Sequence, residues 1–157
     1  MAQQKETIST INDLIETLKD GQEGFRQAAE AVEDRELKTL FNECSLQRAR
    51  FVGELQSEAV TLGESKPEDS GSTAGALHRS WINLKGAIAK HDDHAILEEC
   101  ERGEDSAVHE YKEALDDEDL TSPVREIISR QYGKVKSVHD RIKHLRDASI
   151  WKDCVRS

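Results

Sequence analysis

Proline and glycine are scarce in this chain of 157 residues, which contains two prolines and nine glycines. Aromatic residues account for only 4% of the chain, whereas charged residues reach 34%. Because proline and glycine are the residues that most often interrupt helices, their scarcity leaves long segments in which a helix can continue. This composition, with apolar residues spaced three and four apart, is typical of a helical bundle with solvated outer faces.

Long apolar runs are also missing, and no segment approaches the roughly 20 apolar residues that a membrane-spanning helix requires. The first residues do not form the apolar core of a signal peptide. The three cysteines are odd in number and widely spaced, at Cys44, Cys100 and Cys154. The first two lie on apolar stripes, where a reduced thiol behaves as a small apolar side chain. We therefore expect a cytoplasmic protein that does not bind membranes.

Positive charge is in short supply, since the formal net charge is −10. No basic stripe compensates for this excess of acidic groups, so the chain is not expected to bind nucleic acid. A glycine-rich phosphate loop, a Ser-His-Asp order and a Cys-x-x-Cys pair are absent too. The sequence therefore offers no common catalytic motif, and we assign no catalytic residue.

Four apolar stripes are present, and each is interrupted by one polar residue: Gln22, Gln47, Glu104 or Gln131. Steps of three and four residues mark each stripe as the buried seam of a helix. The stripes read Ile8, Ile11, Ile15, Leu18, Gln22, Phe25, Ala29, Val32; Leu40, Cys44, Gln47, Phe51, Leu55; Leu97, Cys100, Glu104, Ala107, Tyr111, Ala114; and Val124, Ile128, Gln131, Val135, Val138, Ile142, Leu145. Polar groups within a bundle core are where such folds build metal or ligand sites.

The stripes and turn residues divide the chain into two helical hairpins joined by one long connection. Gly63 is a natural stop for the second helix, and Ser122 with Pro123 is a natural start for the last. Residues 1–150 then form a single domain, and residues 151–157 a short tail. The expected helices cover residues 7–32, 36–62, 74–90 and 123–149. After a bend at 91–94, the third of these continues to about residue 115.

The four polar residues are expected to share one layer. Gln22 and Gln47 are equally far from the first turn, and Glu104 and Gln131 are equally far from the second. At 1.5 Å per residue, each lies roughly 18–20 Å along its helix.

Two hairpins, a crossover and a polar layer at mid-length resemble the ferritin-like superfamily. More narrowly, the segments 14–21, 24–25, 28–30, 71–72, 77–81 and 97–105, with Gln131 and His139-Asp140, resemble an uncharacterised bacterial family of ferritin-like four-helix-bundle proteins. The resemblance covers about residues 5–148. It implies an all-α fold, an antiparallel four-helix bundle with a long helical crossover between helices 2 and 3. It implies no particular reaction.

Di-iron members of the superfamily place Glu on two helices and Glu-x-x-His on the other two. At the matching places this chain has three amides and one acid, with Arg50 and Lys134 where the imidazoles would be. Both cations repel a metal ion. We therefore expect Glu104 to pair with Arg50 or Lys134 in a metal-free polar network that also contains Gln22, Gln47 and Gln131.

A non-enzymatic bundle without a cofactor is the leading expectation, and the resemblance adds a role in stress. Self-association, most simply as a dimer, is expected with it. The alternative is a di-metal protein, an oxidase or an iron-handling protein, which binds iron or manganese through Glu23, Glu101, Glu104 and His139. A third class of function is an interaction module whose acidic faces meet a basic partner.

Overall fold

The structure is a computed structural model that describes the backbone of residues 2–64 and 81–156, and the burial of side chains in residues 5–64 and 81–148. Within these ranges the chain is helical and contains no strand. The prediction of an all-α protein is confirmed. In chain order the helices are α1 (Ala2–Ala31), α2 (Arg35–Thr61), α3 (Leu84–Ala89), α4 (Asp93–Asp116) and α5 (Ser122–Arg156).

The helix boundaries follow the sequence signals closely for α2 and α4. Gly63 ends α2 with a left-handed φ of 104°, as expected of a glycine at this position. Its N–H bonds to the carbonyl of Val60, and the N–H of Glu64 bonds to that of Ala59, both at 2.9 Å. This pair of bonds is the Schellman arrangement, which satisfies carbonyls left open at a helix end.

Two expectations differ from the structure. The helix α5 continues to Arg156, beyond the expected end at 149 and through the expected tail, because no glycine or proline follows Gly133. The helix expected over 74–90 is the six-residue α3 in the part that is described. Residues 65–80, which include the first residues of that expected helix, lie outside the described residues.

The turn between α1 and α2 is tied to the start of α4. Asp34 caps α2, since its side chain accepts hydrogen bonds from the N–H groups of Glu36 and Leu37. Asp93, the first residue of α4, accepts bonds from the backbone N–H groups of Glu33 and Asp34, each 3.0 Å long. These bonds satisfy donors that a tight turn would leave open, and they hold the two ends together.

The apolar core is divided into two clusters by a polar layer near the middle of the long helices. One cluster contains residues 11–18 of α1, 51–59 of α2, 107–114 of α4 and 124–135 of α5. The other contains residues 25–32, 37–44, 96–100 and Ile142, together with α3. The layer between them holds the charged residues Arg48 and Glu104, both buried.

Trp81, which precedes α3, closes the second cluster. Its indole lies against the backbone of Gly24 on α1 and Gly103 on α4, where an added Cβ would come within 2.3 Å of ring atoms at either glycine. The ring also meets Phe25 edge to face, with centroids 5.1 Å apart. Glycine is required at both positions because any side chain there would occupy the space of the indole.

In the described part of the chain, no helix is long and apolar enough to cross a bilayer.

Candidate functional site

The centre of the polar layer is an ion pair between Arg48 of α2 and Glu104 of α4. Arg48 Nη1 donates to Glu104 Oε1 at 2.6 Å, and Nη2 donates to Oε2 at 2.8 Å. Each side chain is 1% exposed. Two parallel charge-assisted bonds of this length are the strongest arrangement that an arginine and a carboxylate form. Both oxygens of Glu104 are therefore engaged by one guanidinium.

Arg48, rather than Arg50 or Lys134, is the partner of Glu104, which corrects the expectation from sequence. Arg50 and Lys134 are both exposed, at the outer side of their helices. For Arg50 the reason is helix phase. Arg48 follows Cys44 by four residues and precedes Phe51 by three, on the inward row of α2, whereas Arg50 lies two positions further along the helix. Gln47 lies one position aside and is half-buried.

The environment of Arg48 keeps it charged. Burial by itself would lower the pKa of Arg48, but the charge and hydrogen bonds of Glu104 outweigh this effect and leave the pKa raised. Its guanidinium carbon lies 5.4 Å from the centre of the Phe25 ring, which is the geometry of a cation–π contact. Nε donates a longer bond of 3.3 Å to Gln47 Oε1. The middle of the bundle thus contains a fixed positive charge.

A second polar group, Gln131 of α5, lies fully buried in the same layer. Its Oε1 accepts a hydrogen bond of 2.7 Å from the Tyr111 hydroxyl, and its Nε2 donates to the carbonyl of Phe51 at 3.3 Å and to Glu54 Oε1 at 3.2 Å. Burial raises the pKa of Tyr111, so the hydroxyl stays protonated and able to donate. Gln131 thereby connects α2, α4 and α5 without any charge of its own.

Gln22 is only half-buried, because its neighbours Gly21 and Phe25 take the inward positions of α1. Its backbone carbonyl, rather than its side chain, accepts a 2.9 Å bond from the Ser45 hydroxyl. Of the four expected polar residues, the structure brings Glu104 and Gln131 into the core and leaves Gln22 and Gln47 half-buried at its edge. The network also contains Arg48 and Tyr111, which the sequence did not assign to it. The sequence contained a signal for both: Tyr111 lies on the third apolar stripe, and Arg48 lies four residues after Cys44 and three before Phe51.

The core residues do not fit iron or manganese. Such ions need several free oxygen or imidazole ligands and carboxylates that offset their charge. At this centre the two oxygens of Glu104 accept from Arg48, Gln131 is engaged on both ends, and a guanidinium occupies the middle. Introducing a divalent ion would place it next to that positive charge.

The residues of the alternative metal set separate. Glu23 lies at the surface, where it pairs with Arg26 at 2.5 Å. Glu101 and His139 come together instead with Asp105, at the seam between α4 and α5, and each can offer one ligand atom within 4.8 Å of the other two. Glu104 takes no part in this cluster, which we call the seam cluster: Glu101, Asp105 and His139.

Hydrogen bonds orient His139 in the seam cluster. Its Nε2 lies 2.5 Å from Asp105 Oδ1, and its Nδ1 lies 3.1 Å from Asp140 Oδ1. Burial lowers the pKa of His139, but the bonds with Asp140 and Asp105 outweigh this effect and leave it raised. Glu101 forms an ion pair with Arg146, which also bonds to Asp147 at 3.0 Å.

The residues 91–94, His-Asp-Asp-His, act as structural groups in the bend. Asp92 caps α4 through the N–H of His94 at 3.0 Å, and Asp93 holds the first turn. His94 pairs with Glu98, 3.1 Å away. His91 has a left-handed φ of 51°, which produces the change of direction before α4.

The fold and this centre define a class: an all-helical bundle protein whose middle layer is a buried ion pair. Residues 6–117 match the family described as a domain of unknown function (DUF2383). Because the match covers more than two thirds of the chain, the chain belongs to this family. The matched segment includes both Arg48 and Glu104, whereas Gln131 and His139 follow it. Among curated proteins, none matches the chain.

Proposed function

We propose that the protein is a non-enzymatic bundle of ferritin-like topology, in which an ion pair replaces the metal centre. Connections of three residues between α1 and α2 and of five between α4 and α5 favour two antiparallel hairpins. The much longer stretch between α2 and α4 supports a crossover. The four long helices then form an antiparallel four-helix bundle.

The observation that carries the proposal is the bidentate bond between Arg48 and Glu104. A catalytic or metal-binding acid needs at least one oxygen that is free to bind its ligand. Both oxygens of Glu104 accept from Arg48, and burial separates the pair from solvent. The pair instead fixes which faces of α2 and α4 meet, which is the best supported use of a buried polar group.

Self-association as a dimer is part of this proposal, and the outer face of α2 supports it. Leu46 and Val60 are 62% and 56% exposed, and they are two of the three large apolar residues that are exposed in the described part of the chain. They are fourteen residues apart, so they lie on one face of the helix. Gly53, at the midpoint, has open space where a Cβ would be. A second helix could approach α2 closely along this face.

A cytoplasmic location and a role in stress complete the proposal. Reduced, buried Cys44 and Cys100 are consistent with the first. The second derives from the ferritin-like resemblance alone. The competing function, an iron- or manganese-dependent oxidase or iron-handling protein, would require Glu104 to leave Arg48.

Metal analysis tests the choice between these functions. The full chain is purified without a tag or chelator, incubated anaerobically with Fe²⁺ and desalted, and its iron and manganese are measured; oxygen consumption is followed on a second portion. We expect no iron or manganese that depends on Glu104 and no oxygen consumption above that of buffer. Stoichiometric iron that is lost in Glu104→Gln and retained in His139→Ala would overturn the proposal, since it would place iron in the core.

A further inference from the structure

We infer that the seam between α4 and α5 is a binding site for a single divalent transition-metal ion, with Glu101, Asp105 and His139 as its ligands. This inference is independent of the proposed function, because it involves no residue of the central ion pair.

The backbone places the three groups where one ion can reach them. Glu101 and Asp105 are four residues apart on α4 and so share a face. His139 approaches from α5, and the ligand atoms of all three lie within 4.8 Å of one another. Rigid helices on both sides hold ligands more accurately than loops do.

The site is enclosed on one side and open on the other. Glu101 is buried, and the His139 side chain is 14% exposed, whereas that of Asp105 is 63% exposed. Metal ligands of zinc lie about 2.0–2.2 Å from the ion, so they stand about 3 Å or more apart. The 2.5 Å contact between His139 and Asp105 must widen slightly, and the exposed side chain of Asp105 has room to move. Remaining coordination positions would face solvent and hold water.

The groups around the cluster match a divalent ion in charge and orientation. With His139 neutral, Glu101 and Asp105 supply two negative charges. Asp140 contacts Nδ1 of His139 and so directs Nε2 towards the cluster, the arrangement in which a carboxylate orients a metal-bound histidine. One imidazole and two carboxylates suit first-row transition metals such as Zn²⁺, Mn²⁺ or Fe²⁺, and disfavour Mg²⁺ and Ca²⁺, which prefer oxygen alone.

Two cations border the site and act against metal binding. Arg146 forms an ion pair with Glu101, and Lys136 bonds to Asp140 at 2.7 Å. Arg146 has a second partner in Asp147, so it can release Glu101 without losing its charge compensation. Metal and Arg146 therefore compete for Glu101. Removal of Arg146 should therefore strengthen metal binding, because Glu101 is then free of its competing cation.

Zinc titration by calorimetry, on the untagged full chain, tests the site. We expect one Zn²⁺ per chain and no comparable heat with Mg²⁺. His139→Ala and Asp105→Asn should each weaken binding more than about tenfold, and Asp140→Asn about tenfold through loss of orientation. Arg146→Met should tighten binding several-fold. Asp105 is exposed, so its variant remains informative if another substitution impairs folding.

His109→Ala is the matched control, because His109 also pairs with an acid on its own helix, Glu113 at 3.0 Å, but lies outside the seam cluster. The affinity of the His109→Ala variant for zinc should equal that of the unmodified protein. Binding that persists in His139→Ala, that falls equally in His109→Ala, or that is absent at micromolar zinc would each overturn the inference. Weaker binding in Arg146→Met would do so as well.

Discussion

Arg48 and Glu104 meet in the middle of the protein through two parallel hydrogen bonds of 2.6 and 2.8 Å, and both side chains are buried. They come from helices that are far apart in sequence, and they separate the two apolar clusters of the core. Each charge has lost its hydration and depends on the other for compensation. The pair is therefore a point at which the loss of one partner has a large effect.

Removal of one partner should destabilise the fold strongly. Arg48→Met leaves a buried carboxylate, and Glu104→Gln leaves a buried guanidinium, so each should lower the free energy of unfolding by about 3–5 kcal/mol. Urea denaturation followed by circular dichroism measures this. The double variant Arg48→Met/Glu104→Gln should be more stable than either single variant, because it leaves no uncompensated charge.

Arg50→Met is the control for this prediction, since Arg50 lies two positions away and is exposed. It should change stability by less than about 0.5 kcal/mol. If the two single variants and the control unfold at the same urea concentration, the ion pair does not stabilise the fold. If the losses of the two single variants add up in the double variant, Arg48 and Glu104 are not energetically coupled.

Much of the fold can be predicted from the sequence, whereas the details of the layer cannot. The apolar steps along α1, α2, α4 and α5 determine that four long helices form, because burial of such a stripe is their main source of stability. Gly63 marks its helix end for a local reason, the left-handed φ. Signals of this kind are contained within a few neighbouring residues.

The choice of Arg48 depends on tertiary contacts. An apolar stripe spans 100° or more of a helix surface, so adjacent residues such as Gln47 and Arg48 can both be assigned to it. Which of them faces inward depends on where Glu104 arrives from another helix. The seam cluster was missed as a unit for the same reason: Glu101, Asp105 and His139 are identifiable singly, and the rotation of α5 against α4 brings them together.

Alanine at either glycine beside Trp81 should destabilise the protein. A Cβ at Gly24 or Gly103 would lie 2.3 Å from indole atoms, so the ring or the helix must move. Overpacking of a core typically costs about 1–3 kcal/mol, and we expect Gly24→Ala and Gly103→Ala to fall in or above that range. Thermal unfolding followed by circular dichroism measures the loss.

Gly53 supplies the matched control, since it lies within α2 and, among the described residues, no atom beyond its own helical turn lies within 4 Å of the position that a methyl group would take there. Gly53→Ala should stabilise the monomer by up to about 1 kcal/mol, because alanine favours the helix. The same sign of change at all three glycines would contradict the role of Trp81. In a Trp81→Leu background, which leaves space beside the backbone, the cost of Gly103→Ala should shrink.

Tyr111→Phe should have a smaller effect than loss of the ion pair. It removes the hydroxyl that donates to Gln131 Oε1 and leaves a buried acceptor unsatisfied, which should cost about 1–3 kcal/mol. Gln131→Glu would place a negative charge near Glu54, so it should lower the free energy of unfolding more than Tyr111→Phe does. Chemical denaturation compares the two variants, and equal stability of Tyr111→Phe and the unmodified chain would show that this bond contributes nothing.

The buried thiols should resist alkylation until the protein unfolds. Burial raises the pKa of Cys44 to about 12, and that of Cys100 lies well above its usual value for the same reason. At about pH 8 only about one Cys44 thiol in ten thousand is then the reactive thiolate, and access is blocked as well.

The test uses the variant Cys154→Ser, which leaves Cys44 and Cys100 as its two thiols, because Cys154 lies outside the residues whose side chains are described. With this variant, a thiol reagent monitored by intact mass should add no label in buffer and two labels in denaturant. Raising the pH should speed the reaction, because it raises the thiolate fraction of a group whose pKa lies above the working range. Prompt labelling of the folded variant at Cys44, located by peptide mapping, would contradict the burial on which the packing of the second cluster depends.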